Sequence, residues 1–286
     1  MIAARTFGER TFTAANYLFF GLLAVVMVYP LWYVLMYSFS SQADYRSLYL
    51  LPKGLSLQPY AEVFRDGRVF EGLKNSLVIV VAGTAISMVL TVFAAWPLSR
   101  ANLWGRKYFV GLIVFTMLFD GGLIPTYLVV RAYGLTNTLW SLILPQAVIV
   151  YNLLIMTRFF AGTPESLVES AHMDGCNDIL ILFRIVLPLS KAVLSAVGLF
   201  YAVFIWNGYL PGLIYIQDNA KLPVQTILYL IVKSADAMQS SGSSRGMLLE
   251  SFKMAAAAIT VLPILLVYPF LQKHFVKGVL LGSLKG

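Results

Sequence analysis

Charge is scarce in this chain. Only 12% of its 286 residues are Asp, Glu, Lys or Arg, where an ordinary soluble domain carries ~25%. Apolar residues make up 59%, and the mean hydropathy is +0.78. So few ionic groups cannot clothe a water-facing surface for 31.7 kDa, so one or two soluble domains are excluded. Cysteine is scarcer still. Cys176 stands alone, which rules out an intrachain disulfide and any multi-cysteine metal site. His172 and His274 lie far apart and make no zinc pattern. The absence of H-E-x-x-H, and of a Ser or Asp pair at catalytic spacing, argues against an intramembrane enzyme. The phosphate loop G-x-x-x-x-G-K-[ST] is missing too, so this chain cannot supply that ATP site. A net charge of +8 is compatible with nucleic acid. In so apolar a chain it fits loops that face anionic lipid headgroups, and no nucleic-acid partner is expected.

What the chain does have is long apolar runs. They predict an all-α polytopic membrane protein, a single transmembrane domain over residues 1–286, with spans near 17–37, 75–96, 108–119, 139–156, 192–215 and 254–271. The first run is longer than the apolar core of a signal peptide and lacks a small-residue cleavage site, so it reads as a retained span. The second is expected to end at Pro97, and the third to be interrupted by Asp120-Gly121-Gly122 and Pro125. Residues 38–74 read as a broken polar connection; residues 217–253, with a Ser-Ser-Gly-Ser-Ser tract, read as a flexible one. Lys and Arg divide almost evenly between the two sides of this arrangement. The orientation rests on the short stretch 100–107, with Arg100, Arg106 and Lys107 and no acid, because short loops obey the positive-inside rule best, and on the basic tail after the sixth run. Both termini are therefore expected in the cytoplasm. Prolines 30, 125, 145, 263 and 269 lie in or beside the apolar runs. Such breaks are tolerated at membrane depth where neighbouring helices or a cavity satisfy the freed backbone groups, which favours a protein that encloses a path.

The most informative stretch precedes the fifth run. Thr163 is suited to cap a helix, Pro164 to its first position, Glu165 to its positive end and Gly175 to a left-handed stop. A helix over 164–174 follows, about 16 Å long at 1.5 Å per residue and too short to cross a bilayer. It should lie along the cytoplasmic face with Leu167, Val168 and Ala171 on one side. Beyond the glycine, Asp178 is placed to cap a second helix running to Pro188.

Glu169-Ser170-Ala171, three residues, Gly175, nine residues and Ile185-Val186-Leu187-Pro188 reproduce a spaced motif. It resembles the cytoplasmic motif in the permease subunits of ATP-binding-cassette importers, Glu-Ala-Ala, then Gly, then Ile-x-Leu-Pro, with Ser170 as the one departure. The likeness extends along nearly the whole chain and is strongest to maltose-type carbohydrate permeases, among them those for alginate or pectin fragments. It is carried by Leu51-Pro52 with Tyr60, by residues 119–127 (Phe-Asp-Gly-Gly-Leu-Ile-Pro-Thr-Tyr), by residues 204–208 (Phe-Ile-Trp-Asn-Gly) and by residues 278–286. Gly208 stands where many relatives have Glu. The resemblance implies a type I importer permease in the inner membrane whose short helix docks into a cleft on a separate ATPase subunit. It makes Glu169, Ser170, Ala171, His172, Met173, Asp174 and Gly175, with Ile185, Leu187 and Pro188, the coupling segment. Lys285-Gly286 resembles a tail that reaches the ATPase dimer. The implied partners are a homologous permease forming a heterodimer, two ATPase subunits that hold ATP and Mg, an extracytoplasmic solute-binding protein, an oligosaccharide and membrane lipid. No cofactor is expected on this chain.

Other residues admit plainer readings. Cys176 reads as a small filler, His172 as a surface helix residue and His274 as an interfacial one. Asp120 is either a functional acid near membrane depth or a helix cap. Tyr127, Gln146, Tyr151, Asn152, Trp206 and Asn207 are candidates to line a sugar path, because aromatic rings stack on sugar faces while amides bond hydroxyls. The rival function is a self-sufficient channel or secondary carrier. Its usual marks, paired repeats and midplane charges, are missing.

Overall fold

The computed structural model describes residues 7–40, 51–52, 54–240 and 249–267. Among them the secondary structure is helical apart from an isolated bridge between Ser40 and Leu55. The chain divides into two compact units, residues 1–69 with 230–261, and residues 70–229 with 262–286.

In the first unit, α1 (Phe7–Ser38) is longer than the predicted 17–37 because no breaker separates Phe7 from the apolar run. Its membrane-length part, Thr11–Ser38, is apolar on every face and exposed along nearly its whole length, as a lipid-facing helix must be. Burial begins near its end, where Tyr37 packs with Tyr33, Met36 and Met254. Ser38 Oγ lies 2.7 Å from Tyr60 OH on α2 (Gln58–Asp66), and Ser251 Oγ donates to Ser40 O at 3.1 Å. The connection 38–74, expected to be broken, thus contains a helix.

In the second unit, α3 (Arg68–Ser99; its first two residues belong to the other unit) begins before the predicted 75 and passes through Pro97. Proline removes one ladder bond, a loss tolerated in the last turn. The carbonyls left over there are taken up by Ser99 Oγ on Trp96 O (2.6 Å) and Arg106 Nε on Leu98 O (2.7 Å). The third run is two helices, α4 (Arg106–Leu118) and α5 (Leu123–Ala132), bent by 113° at the predicted Asp-Gly-Gly break. The fourth is α6 (Trp140–Gln146) and α7 (Val150–Ala161), bent by 52°. The short α8 (Glu165–Met173) leads to α9 (Asp178–Leu189), then to α10 (Lys191–Asn207), bent from α9 by 86°.

Two sequence expectations fail here. The fifth span does not run to 215, because Gly208 is extended and Pro211 cannot continue the helix from 207. A separate α11 (Leu210–Tyr215) follows. The stretch 217–253 is not simply flexible: it holds α12 (Val224–Ser240), with Val224, Ile227, Ile231 and Ala235 buried at helical spacing. The last described helix, α13 (Leu249–Val267), covers the described part of the sixth run; residues 268–271 lie outside the described residues. Among the described residues three helices are long and apolar enough to cross a membrane, and up to six spans result if each bent pair counts as one.

The core of the second unit joins Trp96 of α3, Phe160 of α7, Val168 and Ala171 of α8, Ile181 of α9 and Val197 of α10. Trp96 meets Phe160 edge to face at 6.4 Å. Tyr201 OH, fully buried, accepts the Ile149 N–H (3.1 Å) freed at the α6–α7 bend and lies 2.7 Å from Thr91 Oγ1. One phenol therefore ties α3, a helix break and α10 together.

Candidate functional site

Two places concentrate the candidate residues, the α8–α9 turn and a cavity at the far end of α10.

The α8 helix starts one residue later than predicted. Thr163 does not cap it. Pro164, with ψ 127°, is itself the extended boundary residue, and its carbonyl accepts the Leu167 N–H at 3.2 Å. A proline forces this outcome, since its ring disfavours helical geometry in Thr163 before it. The other end follows the sequence closely. Gly175 has φ +81°, the Gly175 N–H donates to His172 O and the Cys176 N–H to Ala171 O, both at 2.9 Å. This pair of bonds is the Schellman closure, and it satisfies carbonyls that would otherwise be orphaned. Cys176 packs against the core that contains Ala171, the apolar contact that accompanies such a closure.

Val168 and Ala171 are buried, but Leu167 is 45% exposed and does not join them, contrary to the sequence reading. Met173 is 88% exposed. Glu165, Glu169 and Ser170 are exposed as well, so α8 presents a mixed polar and apolar outer face. His172 Nδ1 lies 3.1 Å from Cys176 O and its Nε2 3.6 Å from Asp178 Oδ1, which braces the turn.

The α9 helix is capped by Asn177 and not by Asp178: Asn177 Oδ1 accepts the Leu180 N–H at 2.8 Å, and Asp178 is the first helical residue. Residues Leu182–Val186 form a π turn, with the Leu187 N–H on Leu182 O. Pro188 has no N–H to give to Arg184, and widening the turn keeps its ring away from that carbonyl. Ile185 and Leu187 are half-buried against the core. Lys285 and Gly286 lie outside the described residues, as do 278–286 as a whole and His274.

The cavity, of about 1010 Å³, opens between α5, α10 and α11. Gln146 and Asn207, both predicted, line it beside Asp120, Phe204, Tyr209 and Tyr215. Tyr127 stacks on Tyr215 with centroids 6.2 Å apart and planes 7° from parallel. Tyr151 is exposed without lining the cavity; Asn152 and Trp206 are buried in helix packing, with no hydrogen-bond partner for Asn152 Nδ2 or Trp206 Nε1 among the described residues. Asp120 is not the cap of α5, whose boundary residue is Gly122 with no side-chain cap bond. The Asp120 Oδ1 accepts the Gly122 N–H at 3.1 Å, shaping the turn into α5, and its side chain borders the cavity. Gly122 holds φ +82° and ψ 176°, a region essentially reserved for glycine. Tyr209 and Tyr215 were not singled out from the sequence. Their only signal is that two tyrosines follow Gly208 within seven residues, which resembles an interfacial belt as much as a binding wall.

The profile of the family described as "Binding-protein-dependent transport system inner membrane component" matches residues 86–281. The chain is 43% identical to the polygalacturonan/rhamnogalacturonan transport system permease protein YtcP of Bacillus subtilis (strain 168), over 97% of this chain and 99% of that protein. It is 42% identical to protein LplC of the same organism, over 97% and 96%. A crystal structure of a bacterial ABC transporter involved in the import of the acidic polysaccharide alginate has a chain that matches with TM-score 0.84 and 29% identity, covering 95% of this chain and 99% of that one.

Proposed function

We propose, from the premise that this chain belongs to the family of binding-protein-dependent transport system inner membrane components, that it couples ATP hydrolysis on partner subunits to oligosaccharide import. It serves as one transmembrane half of the importer. A homologous permease supplies the other half of the path, two ATPase subunits hold ATP and Mg, and a solute-binding protein delivers the sugar outside. Both termini face the cytoplasm. The names of the relatives support a fragment of an acidic polysaccharide as cargo.

The observation that carries this reading is a shared core. The inner face of α8 packs, through Val168 and Ala171, into the same apolar cluster as Val193, Val197 and Tyr201 of α10. The other end of α10 puts Val203, Phe204 and Asn207 on the cavity wall. Packed cores shift as units rather than compress. A displacement of α8, driven by closure of an ATPase dimer on its outer face, therefore passes to α10 and reshapes the cavity about 25 Å away, the length of a helix of α10's size. Glu169, Ser170, His172, Met173 and Asp174 make the docking face, while Gly175, Ile185, Leu187 and Pro188 hold the angle between α8, α9 and α10. Gln146 and Asn207 bond sugar hydroxyls, and Tyr127 with Tyr215 offers a ring platform.

The test is reconstitution of the whole complex in liposomes. Uptake of oligogalacturonides should require ATP inside, all subunits and the binding protein outside. Uptake by this chain alone, with no ATPase present, would favour a channel or carrier instead.

A further inference from the structure

We propose that the groove between α4 and α7, at the end of these helices nearest α8, is a binding site for an anionic phospholipid. The groove has a volume of about 970 Å³. Arg106, Lys107 and Arg158 stand on its wall, and none of its lining residues is acidic. Lys107 and Arg158 make no ion pair among the described residues. Arg106 is anchored by Nε on Leu98 O at 2.7 Å, which leaves the rest of its guanidinium for another acceptor. Helix stability does not account for Arg106 and Lys107, because cations in the first turn of α4 oppose its dipole.

Beyond the cations the wall turns apolar, with Gly111, Val114 and Leu154. A basic mouth over an apolar furrow, between membrane helices, matches a phosphodiester headgroup with its acyl chain along the furrow. An acidic protein segment would satisfy the cations but would leave the furrow unfilled. The space beside Gly111 is open, since a Cβ built there meets nothing within 4 Å.

Lipid retention needs no transport, so its failure and a failure of the import reading are separable. The complex is purified from membranes, placed in phosphatidylcholine nanodiscs, titrated with phosphatidylglycerol and read by native mass spectrometry. Lys107→Gln with Arg158→Gln should weaken retention about 25-fold, or about fivefold for each cation at ~1 kcal/mol apiece. Lys107→Arg with Arg158→Lys should retain the lipid. Gly111→Leu, which fills the furrow and leaves every charge in place, should also lose it, and inorganic phosphate should not displace it. If the double Gln variant does not accumulate, Gly111→Leu decides alone. Full retention by these variants overturns the proposal. So does displacement by phosphate, which marks a plain anion site, or loss of a partner subunit with lipid unchanged, which marks a protein interface.

Discussion

Substitution of Gly175 tests the proposed coupling role of the α8–α9 turn directly. Space is not the constraint, since a Cβ at this position meets nothing within 4 Å. The backbone is: at φ +81° an ordinary residue loses roughly 1–2 kcal/mol, and a β-branched one more. If the chain relaxes by leaving the left-handed region, the bonds to His172 O and Ala171 O go with it, each worth about 0.5–1.5 kcal/mol. The two routes are alternatives, so Gly175→Val costs the cheaper of them, of order 1–3 kcal/mol, concentrated in the turn that fixes the direction of α9 relative to α8. At ~2 kcal/mol a local equilibrium shifts by about thirtyfold. Insertion should survive, because the turn contributes no apolar span.

The series Gly, Asn, Ala, Val separates backbone from bulk. Asparagine visits the left-handed region readily and is an accepted helix stop, so Gly175→Asn should stay near wild type although its side chain is larger than alanine's. Substrate-stimulated ATP hydrolysis by the reconstituted complex should fall in the order Gly, Asn, Ala, Val at equal membrane abundance. Wild-type rates for Val would refute the assignment of this turn to coupling. Equal loss for Asn and Val would show that bulk at the docking face, and not backbone geometry, is what matters.

Tyr201→Phe should leave the Ile149 N–H and the Thr91 hydroxyl without their shared partner, lowering stability of the complex by about 1–3 kcal/mol if each interhelical bond is worth ~0.6–1.7; the midpoint of thermal unfolding in detergent reads it, and an unchanged midpoint contradicts the packing described. In a Cys176→Ser background, a membrane-impermeant thiol reagent applied to intact cells should label Asn219→Cys and spare Ser166→Cys, and the reverse pattern would invert the topology. Asn207→Ala should raise the KM for sugar uptake several-fold, the loss of one or two hydrogen bonds, while leaving membrane abundance unchanged; an unaltered KM would remove Asn207 from the path.

Much of this was legible in the sequence because it depends on local chemistry. Asp120-Gly121-Gly122 was expected to interrupt an apolar run, and a 113° bend occurs there. Gly175 was expected to stop a helix, and it does so with a positive φ. What the sequence hid depends on distant partners. Leu167 looks like an inner residue by spacing alone, yet the core has room on α8 only for Val168 and Ala171. The helix Val224–Ser240 was masked by its polar neighbours, although Val224, Ile227, Ile231 and Ala235 are spaced for one face. Which amides reach the cavity was not readable either. Asn152 and Asn207 are equally polar in the sequence, but only Asn207 borders it, because α7 turns its Asn inward to the packing.

The passage from α9 to α10 shows how a local rule leaves its consequence open. Pro188 announces that the hydrogen-bond ladder must lose a rung, and two outcomes satisfy that: a kink at the proline or a wider turn before it. The chain takes the wider turn over Leu182–Val186 and bends afterwards, at Ser190, by 86°. Both sides of the turn are buried, with Ile181, Leu182 and Val186 in the same core as Val193 and Val197. The π turn lets both sets stay packed while the helix axis shifts. Val168 and Ala171 of α8 lie in that same core, so the proposed coupling role asks α8, α9 and α10 to move together.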